Sequence, residues 1–257
     1  MVMGYIFDLK DSGSYDAWFS QAKNQYRLDL EIKLLMSLLA PEKGQRILDI
    51  GCGTGISLEP LLDKGLSLTG IDPSPYMLAL ASKKLENRVD FHKGFGEDLP
   101  FDDNSFDTAF FFTSLEFMDR PAKAIEEACR VAKDTVVICA LNRYAPLNMV
   151  RRFKSFFIPG IYAHADFFSI WELKQLMFGM LGSVPVKWKT TLQFPFACNR
   201  TAAWIENNKI VQKSIFGTMI GMKIRPVPKF RTRALTLKIR AQKAYNPATG
   251  LATRMRS

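Results

Sequence analysis

Apolar and polar residues fall along this chain in two alternating patterns. RILDI (46–50) is a short, almost unbroken apolar run and predicts a first strand. LSLTGI (66–71), VDFHKG (89–94), FDTAFFF (106–112) and TVVICAL (135–141) predict four more strands. Between them the spacing becomes helical, in ISLEPLLDKG (56–65), in SPYMLALASKKL (74–85) with Ser74 as a candidate N-cap, and from Pro121 to about Ala132. Residues 14–40 predict one or two further helices that end before Pro41 and cover the first strand. Nearly continuous apolar strands alternating with amphipathic helices imply an α/β fold, a mostly parallel sheet with helices on both faces.

The alternation breaks after Leu141. The stretch from Asn142 to Phe168 is too long and too aromatic for an ordinary connection, and residues 141–168 read as an insertion placed over a site. A helix is expected at about 169–181, an edge strand at 184–194, a helical stretch at 201–212 and a last strand at 217–225. Pro226 and Pro228 then mark the exit from a domain spanning 1–228, and 229–257 forms a tail in which RALTLKIRAQKAY is either a strand or an amphipathic segment.

Composition narrows the reading. A chain of 257 residues that is 47% hydrophobic has enough apolar material for one well-buried domain with additions. Cys52, Cys129, Cys139 and Cys198 lack the close pairing of a zinc site and read as reduced thiols, so no metal is expected. The first thirty residues make neither a secretory signal nor a transit peptide, and no window approaches the roughly 20 apolar residues that span a bilayer. A cytoplasmic location is expected. The net charge of +10 is unevenly spread: after Glu206 there are twelve Lys or Arg and no Asp or Glu, against 23 basic and 25 acidic residues before that point. The body is close to neutral, and the basic tail is either a solvated segment or one in weak contact with RNA, anionic membrane or an acidic partner.

The chemistry begins at ILDIGCGTG (47–55). A strand that empties into Gly51, Gly53 and Gly55 lets backbone approach a ligand closely, and Asp72, closing the next strand, is placed to hold a ribose. These residues predict a nucleoside-cofactor site. Asp72 follows Gly51 by 21 positions, a spacing that nicotinamide-binding folds share, but Ile56 stands where their third glycine belongs.

The stretches YDAWF (15–19), ILDIGCGTG (47–55), LTGIDPSPYML (68–78), GFGEDLPFDDNSFD (94–107) and TSLEFMDRPAKAIEEACRVAK (113–133) together resemble the class I S-adenosylmethionine-dependent methyltransferases, in particular the small-molecule group called methyltransferase type 11. The resemblance implies a Rossmann-like, seven-stranded sheet of order 3-2-1-4-5-7-6 with strand 7 antiparallel, and S-adenosyl-L-methionine as cofactor. On this sequence it places Gly51, Cys52 and Gly53 along the methionine and ribose, Asp49 near the amino group and Asp72 on the ribose hydroxyls. It places Pro73, Tyr76 and Met77 near adenine, Gly96 and Glu97 at the adenine edge, and Thr113 and Ser114 beside the methionine and the acceptor. Two departures stand out: Phe95 occupies the position where relatives commonly carry an Asp, and Glu116-Phe117 replaces a pair of histidines.

A methyl group on a sulfonium is already activated, so such a protein mainly aligns the nucleophile and excludes water. An oxygen acceptor of high pKa would also need a base, for which Glu116, Tyr15 and His164 are the candidates by position; His92, inside a strand, reads as structural. Tyr144, Phe153, Phe156, Phe157, Tyr162, Phe167 and Phe168, with Tyr15, Trp18 and Tyr26, form either an acceptor pocket or a satellite core or homodimer contact. An aromatic lid favours a hydrophobic or aromatic small-molecule acceptor, whereas Arg151, Arg152 and Lys154 would suit a carboxylate or phosphate. Two other readings stay open: an RNA or protein methyltransferase that uses the basic tail, and a non-catalytic S-adenosylmethionine-binding protein.

Overall fold

The computed structural model describes residues 4–9, 11, 13, 15, 21–155, 157, 160–182, 184–194, 205–206, 208 and 210–226. The expectations for Trp18, Phe156, Cys198, half of 201–212 and the tail 229–257 fall outside these residues.

Seven strands form one sheet: β1 (Arg46–Ile50), β2 (Ser67–Asp72), β3 (Asp90–Lys93), β4 (Phe106–Phe112), β5 (Ala132–Leu141), β6 (Val186–Thr191) and β7 (Met219–Ile224). Their order is β3-β2-β1-β4-β5-β7-β6. The strands β1 to β5 pair in parallel, and β7 runs antiparallel to both β5 and β6. This is the α/β, Rossmann-like sheet expected, with 184–194 supplying the edge strand. The sequence order reverses between β1 and β4, the switch point at which open α/β sheets bind ligands.

Two apolar layers hold the helices. Helices α1 (Ala22–Leu39) and α2 (Pro75–Leu85) close one face, where Leu34, Leu35, Leu38 and Leu85 pack with Ile47 of β1 and Phe110 of β4. Helices α3 (Pro121–Val131) and α5 (Ile170–Leu181) close the other, through Ile125, Ala128, Leu173 and Met177 against Leu48, Phe111 and Ile138. Burial on both faces explains why β4 reads as an almost unbroken apolar run. Local chemistry fixes the starts of two helices, the first of them as the sequence predicts. Ser74 caps α2 by accepting from the Met77 amide, and Ser169 with Glu172 forms a reciprocal capping box at α5.

The helix expected at 56–65 is a correction. The chain there turns through Gly51, Gly53 and Gly55, all at positive φ, and only Glu59–Lys64 is helical, as a 3-10 segment interrupted at Asp63. The glycines keep the backbone in a turn past Ile56, and Pro60 starts the helical segment late. Among the described residues of 141–168 lies one α-helix, α4 (Pro146–Ser155), followed by a 3-10 turn at Ile161–His164.

Candidate cofactor and acceptor cleft

The C-terminal ends of β1, β2 and β4 open into a cleft with an empty volume of about 790 Å³. Its floor is the glycine turn. The Gly51 and Cys52 amides donate to the Ile71 carbonyl at 2.8 and 3.1 Å, which ties the turn to the end of β2. Asp72 closes the link from the other side, accepting from the Gly53 amide at 2.9 Å through Oδ2 and from the Ser74 amide at 2.8 Å through Oδ1. Burial raises the Asp72 pKa, and those two amides oppose the shift. A Cβ on Gly53 would meet no atom within 4 Å, whereas one on Gly51 would strike the Ser114 side chain at 2.5 Å. Gly53 thus leaves open a space over the turn that any side chain would begin to fill.

Beneath the turn Asp49 is fully buried. Its Oδ2 accepts the Ser57 hydroxyl, and its Oδ1 has no hydrogen-bond partner. Burial pushes the carboxyl up to about 8; the Ser57 hydroxyl pulls it down and the charge of Asp72 adds to the rise. An orphaned carboxylate oxygen next to an open glycine turn suits a cation, and the amino group of S-adenosylmethionine is one. At the far side, Pro73, Met77, Phe95, Gly96 and Glu97 line the cleft. Gly96 allows close packing, since a Cβ there would stand 2.9 Å from both Ile50 and Met118. Glu97 is buried and accepts the Arg120 amide at 3.3 Å. These residues would fit the cofactor: Asp72 could hold a ribose, Pro73, Met77 and Phe95 offer apolar surface to an adenine, and the buried Asp49 could take an amino group.

The remaining wall is aromatic. Tyr5, Phe7, Tyr15, Phe112 and Phe117 all line the cleft. Residues 4–9 cross it as a strap: the Tyr5 amide donates to the Phe117 carbonyl at 3.0 Å, and the Phe7 carbonyl accepts the Ser74 hydroxyl at 2.6 Å. The Phe7 and Phe117 rings meet edge to face at 5.0 Å. Sequence reasoning missed this strap, along with Ser57 and Met118; six residues without periodicity carry no signal for what they cross.

The structure thus brings together Tyr15, Gly51, Cys52, Gly53, Asp72, Pro73, Met77, Gly96, Glu97 and Thr113 around one cleft, with Asp49 below it. Two of the proposed bases lie elsewhere. Glu116 is buried behind the wall; its Oε1 accepts the Leu141 amide while Oε2 has no partner, and burial pushes its carboxyl up to about 7, against the pull of the Leu141 amide. His164 is exposed, does not line the cleft, and stacks on Tyr5, ring centres 4.1 Å apart. Tyr76 is exposed as well, and His92 pairs with Asp90 and packs edge-on to Phe101.

The aromatic residues of 141–168 divide differently from the pocket expectation. Phe167 and Phe168 are buried, Phe168 in the core under α5. Tyr144, Phe153 and Phe157 are exposed. Among the described residues none of this segment lines the cleft. The strap takes that place.

A methyltransferase domain family matches residues 48–140, from the first strand through the fifth. The chain is 37% identical over 118 residues to a demethylmenaquinone methyltransferase of Clavibacter sepedonicus, covering 44% of this chain and 48% of that enzyme; it therefore spans about half the length of that relative. An uncharacterized protein of Methanocaldococcus jannaschii is 34% identical over 177 residues, 67% of this chain and 78% of that one. Among solved structures, an S-adenosylmethionine-dependent methyltransferase of Thermotoga maritima, described as a possible histamine N-methyltransferase, superposes with a TM-score of 0.68 at 25% identity, over 85% of this chain and 97% of that one.

Proposed function

Because the chain belongs to the class I S-adenosylmethionine-dependent methyltransferases of the type 11 group, we propose that it transfers a methyl group from S-adenosyl-L-methionine to a small, hydrophobic or aromatic acceptor. The observation that carries the acceptor class is the wall of Tyr5, Phe7, Tyr15 and Phe117, with no lysine or arginine among the described residues that line the cleft. Flat rings favour an acceptor that buries apolar surface, and the charges that face the cleft, Asp72 and Glu97, are carboxylates that would repel RNA phosphates.

The cofactor, when bound, supplies a methyl group already activated on a sulfonium. The chain's own residues do the rest. Asp72 and the Gly53 turn orient the ribose end, Asp49 holds the amino group, and the strap of residues 4–9 excludes water from the acceptor side. A relative that methylates demethylmenaquinone, a quinone-type acceptor by its name, agrees with this class. Glu116 does not line the cleft and burial keeps the Tyr15 phenol protonated, so the reading favours an acceptor that needs only alignment.

Calorimetric titration with S-adenosylhomocysteine, intact protein against Asp72→Ala, tests the cofactor half. Micromolar binding, about −8 kcal/mol, that collapses in the variant supports it. Methyl transfer to quinols or phenols but not to RNA supports the acceptor half, and the reverse preference would favour the nucleic-acid reading.

A further inference from the structure

Helix α4 turns a mixed face inward: Leu147 is buried beside Asn148, and Asn148 is fully buried with its amide donating to the Asn142 and Thr218 carbonyls, each at 2.9 Å. Arg151 follows on the same face, donating to Asn148 Oδ1 at 3.0 Å and lying 4.8 Å over the Tyr162 ring. The outward face carries Met149, Val150 and Phe153, and Phe157 continues it just past the helix, at 59%, 49%, 66% and 73% exposure. Positions i, i+1, i+4 and i+8 form one stripe along a helix. The Phe153 and Phe157 rings touch at 5.4 Å, so the stripe is continuous rather than scattered. Surface helices of globular proteins normally point such a stripe at the core, and a contiguous exposed apolar face marks a contact surface.

Charge says which contact. Arg152 and Lys154 are exposed beside the stripe; of the other two cations between Thr135 and Ala165, Arg143 pairs with Glu172 and Arg151 turns inward onto Asn148 and Tyr162, and that stretch holds no Asp or Glu. The basic tail of this chain would be repelled from such a face. A second copy docking by the same face would set Arg152 and Lys154 against their own counterparts. An anionic bilayer satisfies both features at once, taking the apolar stripe into its acyl boundary and the cations at its headgroups. At the N-terminal end of α4, Tyr144 and Trp171 are also exposed and meet edge to face at 6.2 Å; such rings, apolar with one polar atom, settle at membrane interfaces.

We propose that α4 and Phe157 form a docking face for an anionic lipid bilayer, which holds the protein at the membrane surface without crossing it. The face also leads to the cleft: the turn after it carries His164, which stacks on the strap residue Tyr5. An acceptor dissolved in the membrane would therefore be delivered close to the strap. The docking itself is independent of methyl transfer.

The test is flotation of the full chain with phosphatidylcholine vesicles, with and without phosphatidylglycerol, comparing intact protein, Phe153→Ser/Phe157→Ser and Arg152→Gln/Lys154→Gln. Binding of S-adenosylhomocysteine reports the fold of each, since none of the four residues lines the cleft. The expected result is phosphatidylglycerol-dependent flotation that falls on the order of tenfold in the phenylalanine variant and becomes weaker and less salt-sensitive in the cation variant. Three results would overturn it: no flotation of the intact protein; flotation equal in the phenylalanine variant, which assigns binding to the basic tail; or a dimer of the intact chain that becomes a monomer in that variant, which assigns the face to a second copy.

Discussion

Tyr15 and Thr113 are hydrogen-bonded through their side chains at the wall of the cleft, and Thr113 makes that contact from a left-handed backbone conformation, φ +49°. A β-branched residue is rarely found there, and the strain costs about 1–3 kcal/mol. The Thr113 amide, donating to the Cys139 carbonyl at 2.8 Å, and the end of β4 hold it in place. Thr113→Gly should therefore melt at or above the temperature of the intact protein while losing methyl transfer, and Thr113→Ala, which keeps the strain and loses the hydroxyl, should melt lower. Thermal denaturation beside a turnover assay checks this; a destabilised glycine variant would mean that the conformation is not strained.

The glycine turn separates folding from binding. A side chain at Gly51 would strike Ser114, whereas one at Gly53 points into open space. Both positions also carry the cost of positive φ, about 1–2 kcal/mol for alanine. Gly51→Ala should lose stability well beyond that cost. Gly53→Val should remain folded and lose S-adenosylhomocysteine affinity by about a hundredfold, near 3 kcal/mol. Denaturant titration of both variants together with calorimetry of the second decides it, and full affinity in Gly53→Val would place the ligand away from the turn.

Strands β1, β4 and β5 were legible because almost all of their residues are buried, which leaves near-continuous apolar runs in the sequence. Ser74 and the run 47–55 state their roles locally. What was not legible depends on partners distant in sequence. The 56–65 pattern is helical in spacing, but a turn of three positive-φ glycines precedes it and leaves only a 3-10 segment. Phe153 and Phe157 look like lid residues until the hydrogen bonds of Asn148 to Asn142 and Thr218, the latter 70 positions away, turn their face outward. The strap from Tyr5 to Phe7 has neither periodicity nor a motif, and only its contacts with Phe117 and Ser74 place it over the cleft.

Glu116 ties the 3-10 turn after β4 to the end of β5, with one carboxylate oxygen on the Leu141 amide and the other unpartnered. Its pKa of about 7 lies above the ordinary value of 4.5, so the folded state binds a proton more tightly than the unfolded chain. The stabilising contribution of that proton is complete below about 4.5 and is lost as pH rises through about 7. Glu116→Gln keeps a carbonyl oxygen for Leu141 and removes the charge. The variant should gain stability relative to the intact protein above pH 7 and show a flatter stability profile between 4.5 and 7. Urea unfolding across that range provides the comparison, and a variant less stable at pH 8 would mean the carboxylate is compensated there.

Asp49 gives the cofactor site its own pH dependence. Burial holds this carboxyl at about 8, so at neutral pH the empty site is largely protonated. The amino group that it is proposed to hold is cationic, and a neutral acid attracts it far less than a carboxylate does. Binding must then expel the proton, and below about pH 8 the affinity for S-adenosylhomocysteine should fall by up to tenfold for each unit of acidification. Asp49→Asn cannot ionise and should bind more weakly at pH 8, but with an affinity that stays level from pH 6 to 8. Calorimetry in two buffers of different ionisation enthalpy measures the protons directly: close to one released at pH 7 by the intact protein, none by the variant. An intact protein that releases no proton and binds equally at pH 6 and 8 would put the amino group elsewhere and leave Asp49 as a structural partner of Ser57.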